Sequence, residues 1–148
     1  MDELNCFVTQ IMQVSPIMKI VRIKPDGWTL PEYKPGQFIA LGLYASAARC
    51  PEATKEHTEL EPGKLIKRAY SIASSSSHDF IELYITLVHS GSLTPRVFNL
   101  KIGDKIWLGK KATGMFTLEE IDSAQNIVLI ATGTGVAPYM SMLRTDAL

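Results

Sequence analysis

Apolar and polar positions alternate loosely from Cys6 to Val14 and again from Ile17 to Lys24, with Ser15-Pro16 between them as turn chemistry. The pattern predicts a strand pair. Lys34-Pro35-Gly36 punctuates the chain before Gln37 to Tyr44, whose nearly continuous apolar run FIALGLY predicts a strand buried on both faces. Ile66 to Ala73 and Phe80 to Val88 predict two more strands on either side of a serine run. In the second, Glu82, Tyr84 and Thr86 are the polar-capable positions. Thr94 to Leu100 predicts a short helix, because Pro95 stands early, where a missing N–H costs nothing, and Thr94 is available as a cap. Lys105 to Gly109 follows the turn at Ile102-Gly103-Asp104 as a sixth strand. Six short strands and one short helix predict a mainly β architecture, a closed six-stranded antiparallel barrel ahead of an open sandwich.

Two stretches break this pattern. Residues 45 to 64 mix small and charged residues with two prolines and no period of either kind, which predicts a long loop, a solvated insertion in the simplest case. The run NIVLIATGTGVAPYMSMLR predicts a strand, a glycine turn and a helix with Val136, Met140 and Leu143 on one face, the opening of a parallel α/β unit. One β-α element cannot bury its own faces. The expectation is therefore a barrel domain over residues 1–116, followed over 117–148 by the cut-off start of a second, nucleotide-binding α/β domain.

Composition narrows the function. A chain of 148 residues can bury one sizeable core, and 15 basic residues against 15 acidic ones leave no net charge to attract nucleic acid. Cys6 and Cys50 lack C-x-x-C spacing and the three histidines lack ligand spacing, so neither a zinc site nor a disulfide framework is predicted. Asp2 and Glu3 stand where a secretory signal needs positive charge, and the apolar runs are too short to cross a bilayer. A soluble, cytoplasmic protein without a membrane partner is expected.

Three segments carry candidate chemistry. Arg68, Tyr70 and Ser71 combine a planar fork suited to phosphate, a flat amphipathic ring and a small hydroxyl, a set that matches a flat heterocycle with a diphosphate tail. Taken singly they are equally a surface arginine, a sheet tyrosine and a strand serine. Gly91-Ser92-Leu93-Thr94 precedes the predicted helix, where free N–H groups favour an anion, or where Thr94 merely caps. GTGVAP, residues 133 to 138, sits between predicted strand and helix in the context of a nucleotide-binding turn, with Pro138 in place of a third glycine; alone, it is also a plain β-α turn.

In this order the three segments resemble the ferredoxin/flavodoxin–NADP reductase family over almost the whole chain, and SLTPRVFNLKIGD resembles its bacterial subgroup. KPGQF at 34 to 38, the Gly103-Asp104 turn and Gly114-Met115-Phe116 add to the likeness. The resemblance implies a Greek-key FAD-binding barrel and an NADP-dependent flavoprotein oxidoreductase passing electrons between NADPH and ferredoxin or flavodoxin. It implies that Arg68, Ala69, Tyr70 and Ser71 contact FAD, with Tyr70 and Ser71 at the reacting ring. Further FAD contacts are implied for Tyr84, Ile85, Thr86 and Leu87, for Ser92, Leu93 and Thr94, and for Thr134. NADP contacts are implied for Gly133, Thr134 and Gly135. Two alternatives stay open: a flavin-binding or structural barrel without reductase activity, and a flavin reductase or electron-transfer subunit with another acceptor.

Overall fold

The computed structural model describes residues 3–145. β1 (Cys6–Ser15) and β2 (Met18–Pro25) pair antiparallel across the Ser15-Pro16 turn, where the Ile17 N–H donates to Ser15 Oγ at 3.3 Å. β3 (Phe38–Tyr44), β4 (Leu65–Ser71), β5 (Ile81–Thr86) and β6 (Lys105–Leu108) complete one six-stranded sheet in the order β4-β3-β6-β1-β2-β5. Every pairing is antiparallel. β6 enters between β1 and β3, so strands distant in sequence become neighbours. β3 buries Ile39, Leu41 and Leu43 in a core shared with Ile23, Ile81, Leu83, Ile85, Ile106 and Leu108, but Phe38 on its other face is exposed and Ala40 and Tyr44 are partly covered, so burial on both faces is corrected to one buried face, as alternation in an antiparallel strand allows.

The sheet curls without closing. Among the described residues, β4 and β5, its two edges, are joined at one place, by the isolated bridge Ile72–Leu83 and the Ala73 N–H bond to the Glu82 carbonyl at 2.9 Å. This corrects the closed barrel: among the described residues no continuous sixth ladder runs between them, and the two strands diverge from a single point, as twisted strands do.

The serine run is the fastening at that point. Ser74 is fully buried; its Oγ accepts the Glu82 N–H at 3.0 Å and shares a hydrogen bond with the Tyr33 hydroxyl at 3.1 Å. Its carbonyl accepts from Tyr33 at 3.1 Å and from the Ser141 hydroxyl at 2.7 Å. Small hydroxyls suit this point because several buried backbone groups converge there and each requires a hydrogen-bond partner.

Ser141 belongs to α2 (Ala137–Arg144), which follows the short 3-10 turn Gly133–Val136 and docks on the barrel. Its buried face is Ala137, Pro138, Ser141 and Met142, and Leu143 is exposed. Of the predicted face Val136-Met140-Leu143, Val136 and Met140 pack partly buried against Ala73, Tyr84 and Ala137, whereas Leu143 is exposed and is corrected: Ser141 and Met142 take the inner side, with the Ser141 hydroxyl on the Ser74 carbonyl. The strand predicted within NIVLIAT is absent too. Residues 126 to 132 carry no ladder, and Val128 and Ile130 are exposed, because a parallel strand needs neighbours that the described residues do not supply.

Gly36 sets the junction. At φ of +102° a side chain is strained, and a Cβ there would lie 1.7 Å from the Phe116 carbonyl oxygen and 2.9 Å from Met142 Cε. Gly36→Ala is expected to destabilise the protein by more than ~2 kcal/mol, a fall in Tm of at least about 4 °C by calorimetry. An unchanged Tm would show that the Gly36–Phe116 approach is not tight.

Candidate functional site

The diverging edges of β4 and β5 leave backbone N–H and C=O groups unpaired along both sides of a gap, and the gap opens into a cavity of about 550 Å³. Arg68, Ala69, Tyr70 and Ser71 line it from β4; Tyr84, Thr86 and Val88 line it from β5 and its continuation. Gly91, Ser92, Leu93 and Thr94 close one end, and Thr134, Gly135 and Ala137 reach in from the start of α2.

The structure therefore brings together all but three of the sequence-predicted site residues. Ile85 and Leu87 do not line the groove, because strand alternation turns them into the core beneath it. Gly133 stands exposed outside the lining, at φ of +52°, starting the 3-10 turn. Val88, Gly91 and Ala137 were missing from the predicted set. The period of two running through Tyr84 and Thr86 extends to Val88 and could have found it; Ala137 is placed by the docking of α2, which leaves no periodic trace.

On the β4 wall, Tyr70 is half-buried against the core, and burial pushes its phenol up to about 12 against a smaller opposing effect of Arg68. It is a neutral flat ring at physiological pH. Arg68 is exposed, donates to its neighbour's Lys67 carbonyl at 2.7 Å, and has no carboxylate partner among the described residues. Its guanidinium is available to an anion. Across the gap Tyr84 is buried, and burial pushes its phenol up as well.

The end loop differs from expectation in one respect. Thr94 does not cap α1 (Thr94–Phe98): the N-cap is Leu93, with no side-chain cap bond. Thr94 Oγ1 instead accepts the Val88 N–H at 2.9 Å, and the Gly91 N–H bonds the Val88 carbonyl at 2.8 Å, folding the loop into a tight turn. Among the described residues, no acceptor takes the N–H groups of Ser92, Leu93 or Thr94.

Residues 45 to 64, expected as a solvated insertion, are bolted to the outside of this loop. Arg96 is buried under them; its fork meets Glu56 at 2.9 and 3.1 Å, and it also donates to the carbonyls of Ala45 at 2.7 Å and Ser92 at 2.6 Å. Arg49 donates to the carbonyls of Thr54 at 2.5 Å, His89 at 3.1 Å and Gly91 at 3.0 Å. The excursion is a brace. Hydrogen bonding from Arg96 holds the Glu56 carboxyl below the usual range, against the opposing effect of burial.

A second ion cluster holds α2. Buried Glu82 bonds Arg22 Nε at 2.7 Å and the Arg144 guanidinium, and Arg144 also donates to the Ala73 carbonyl at 3.0 Å. Burial alone would raise the Glu82 carboxyl, but the bonds from Arg144 and Arg22 outweigh it and leave it lowered.

Among solved structures, the chain is similar to a ferredoxin NADP+ reductase from Neisseria gonorrhoeae, a structure with bound FAD and NADP. The likeness has a TM-score of 0.77 and 26% identity over 97% of this chain and 51% of that one. A flavohemoglobin from Malassezia yamatoensis, at 23% identity and a TM-score of 0.74 over 94% of this chain and 33% of its own, shares the fold. Fold and groove together define a barrel of the ferredoxin-reductase class. Among curated proteins, the flavodoxin/ferredoxin–NADP reductase of Buchnera aphidicola subsp. Baizongia pistaciae is 41% identical over 91 residues, 62% of this chain and 36% of the relative. That of Escherichia coli K12 is 34% identical over 109 residues, 74% of this chain and 38% of the relative. The chain belongs to the ferredoxin/flavodoxin–NADP reductase family, and it spans between a third and about two fifths of the length of these relatives. No family model matches it. Among the described residues no helix is long and apolar enough to cross a membrane, and no cluster of His, Cys, Asp and Glu could hold a metal.

The lowered carboxyls make stability pH-dependent. For Glu56 and Glu82 the unfolded chain binds protons at higher pH than the folded one, so their contribution is full above the ordinary glutamate range and is lost as pH falls through the lower folded values. Urea unfolding should show stability falling from about pH 5 to about pH 3. Glu82→Gln is expected to be less stable at neutral pH and to give a shallower slope; an unaltered slope would remove Glu82 from the linkage.

Proposed function

We propose that the groove holds FAD and that the chain is the FAD-binding portion of a ferredoxin/flavodoxin–NADP reductase. One observation carries this reading. Arg68, Tyr70 and Ser71 on one wall, and the unpaired N–H groups of Ser92, Leu93 and Thr94 at the end, border a single cavity. The residues fit the group: flat phenol rings and small hydroxyls suit the heterocycle, while a carboxylate-free guanidinium and convergent amides suit the diphosphate.

In this reading Arg68 and the amides of Ser92, Leu93 and Thr94 bind the pyrophosphate, and Tyr70 packs on the ring. Ser71 hydrogen-bonds at its reacting edge, and Tyr84 and Thr86 border the ring and ribityl chain. Ala69 lies along the wall, and Ile85 and Leu87 support it from the core. Thr134 and Gly135 approach from α2, where an NADP nicotinamide would meet the ring, with Gly133 outside the lining. When bound, FAD supplies hydride exchange with NADPH and single-electron exchange with ferredoxin or flavodoxin. The protein's part is to hold the ring between Tyr70 and α2, to keep water from its face, and to place a hydroxyl at its edge.

We assign residues 1–116 to the FAD-binding domain and 117–148 to the start of the NADP-binding domain. The two free, buried cysteines suit a reducing cytoplasm. Ferredoxin or flavodoxin as partner follows from family membership, as the curated relatives' names support.

Flavin absorbance and quenched flavin fluorescence on adding FAD test the reading; no binding at micromolar protein would overturn it. Arg68→Ala is expected to weaken FAD about ten- to a hundredfold, the loss of a charge-assisted contact of about 1.5–3 kcal/mol, with the flavin's reactivity changed far less. Titration of both apoproteins measures this, and equal affinities would remove Arg68 from the site.

A further inference from the structure

The N–H groups of Ser92 and Leu93 can serve an anion only if their peptide planes face the right way, and the loop's own bonds, from the Gly91 N–H to the Val88 carbonyl and from the Val88 N–H to Thr94 Oγ1, hold neither of those two planes. Gly91 lets the preceding backbone rotate, so the Gly91–Ser92 peptide could present its carbonyl to the groove as readily as its N–H. A carbonyl oxygen there would repel a phosphate.

Two arginines decide between the orientations. A trans peptide unit is planar, with its carbonyl and N–H pointing in opposite directions. Arg49 Nη2 takes the Gly91 carbonyl at 3.0 Å, so the N–H of Ser92, in the same unit, points away from Arg49. Arg96 Nη1 takes the Ser92 carbonyl at 2.6 Å, so the N–H of Leu93 points away from Arg96. Gly91, Ser92 and Leu93 line the groove, and neither arginine does. Both guanidiniums therefore pull from the outer side. They are themselves anchored, Arg96 by its fork on Glu56 and Arg49 through the Thr54 and His89 carbonyls.

We propose that Arg49 and Arg96 are positioning residues for diphosphate binding: they hold the Gly91 and Ser92 carbonyls outward and thereby aim two successive amides into the groove. The excursion over residues 45 to 64, which carries Arg49 and Glu56, exists in this view to set the site's preference for a diphosphate-bearing flavin over a bare one. This rests on the assignment of the groove to FAD.

The test compares two probes, FAD and riboflavin, which share the ring and differ in the diphosphate and adenosine. Arg49 is chosen because it is partly exposed, with 19% of its side chain accessible, whereas loss of the buried Arg96 endangers folding. Arg49→Met is expected to weaken FAD about tenfold and riboflavin less than twofold, with Arg49→Lys recovering part of the loss. In amide NMR, the Ser92 and Leu93 resonances should move on FAD addition in the unaltered protein and move less in Arg49→Met. FAD affinity within twofold of the unaltered protein, or an equal loss for both flavins, would overturn the proposal, the second outcome marking a merely structural brace. Failure of the unaltered protein to bind FAD would overturn the groove's assignment and this inference with it.

Discussion

β4 and β5 each have one pairing partner within the sheet and meet each other at one place, the Ile72–Leu83 bridge. Had the ladder continued from there, the backbone groups of both edges would be satisfied and the barrel would be a solid body with no groove. Because it stops, strand twist opens the gap progressively, and side chains that would otherwise be core residues border a cavity instead. Tyr70 and Tyr84 illustrate the consequence: both lie against the core, burial pushes both phenols further above the ordinary tyrosine value, and both still line the opening. An edge left open in this way would invite pairing with another chain; here the Gly91–Thr94 loop and the start of α2 stand at its ends.

The bridge needs a fastening, since one pair of residues cannot hold two diverging strands. Ser74 supplies part of it, and the Glu82 cluster supplies the rest by tying β2, β5 and α2 through Arg22 and Arg144. Burying Glu82 is unfavourable in itself, and an apolar replacement of similar volume could serve stability as well. What the ionic arrangement adds is direction. Two guanidiniums must approach one carboxylate from opposite elements, and this fixes where α2 lies and hence where Thr134 and Ala137 enter the groove.

Strands were legible to within about two residues at each end, because alternation of buried and open faces is a local signal that survives folding. The groove's walls were legible for the same reason, once Arg68-Ala69-Tyr70-Ser71 was set beside the GSLT loop. What escaped was everything decided by partners far along the chain. Arg49 and Arg96 reach carbonyls and a carboxylate across separations of about 40 residues, with no period to betray them, so residues 45 to 64 looked unattached. Thr94 had a cap's position and residue type, yet the Val88 N–H lay closer to hand. The apolar run before Gly133 had a strand's composition, but composition sets only what a segment would do beside suitable neighbours. Ile85 and Leu87 share a segment with Tyr84 and Thr86, but the pleat sends alternate members to opposite faces, so resemblance along the segment does not separate wall from core.

Electrostatics sharpens the division of labour among the three arginines around the groove. The chain as a whole is neutral, with 15 basic and 15 acidic residues, so no long-range field draws a polyanion toward it. Attraction has to be local. Arg96 is committed to Glu56 and to backbone carbonyls, and Arg49 sits within 4.0 Å of the same carboxylate, so the pair together offers about one net positive charge, shielded behind the loop. Arg68 alone faces the opening without a carboxylate partner. A bound diphosphate would thus meet one direct cation in front and oriented amides backed by positive charge behind, an arrangement that discriminates by geometry as well as by charge. Free phosphate could pair with Arg68 in solution, but only a ligand long enough to reach the amides while its ring lies against Tyr70 engages all three elements at once.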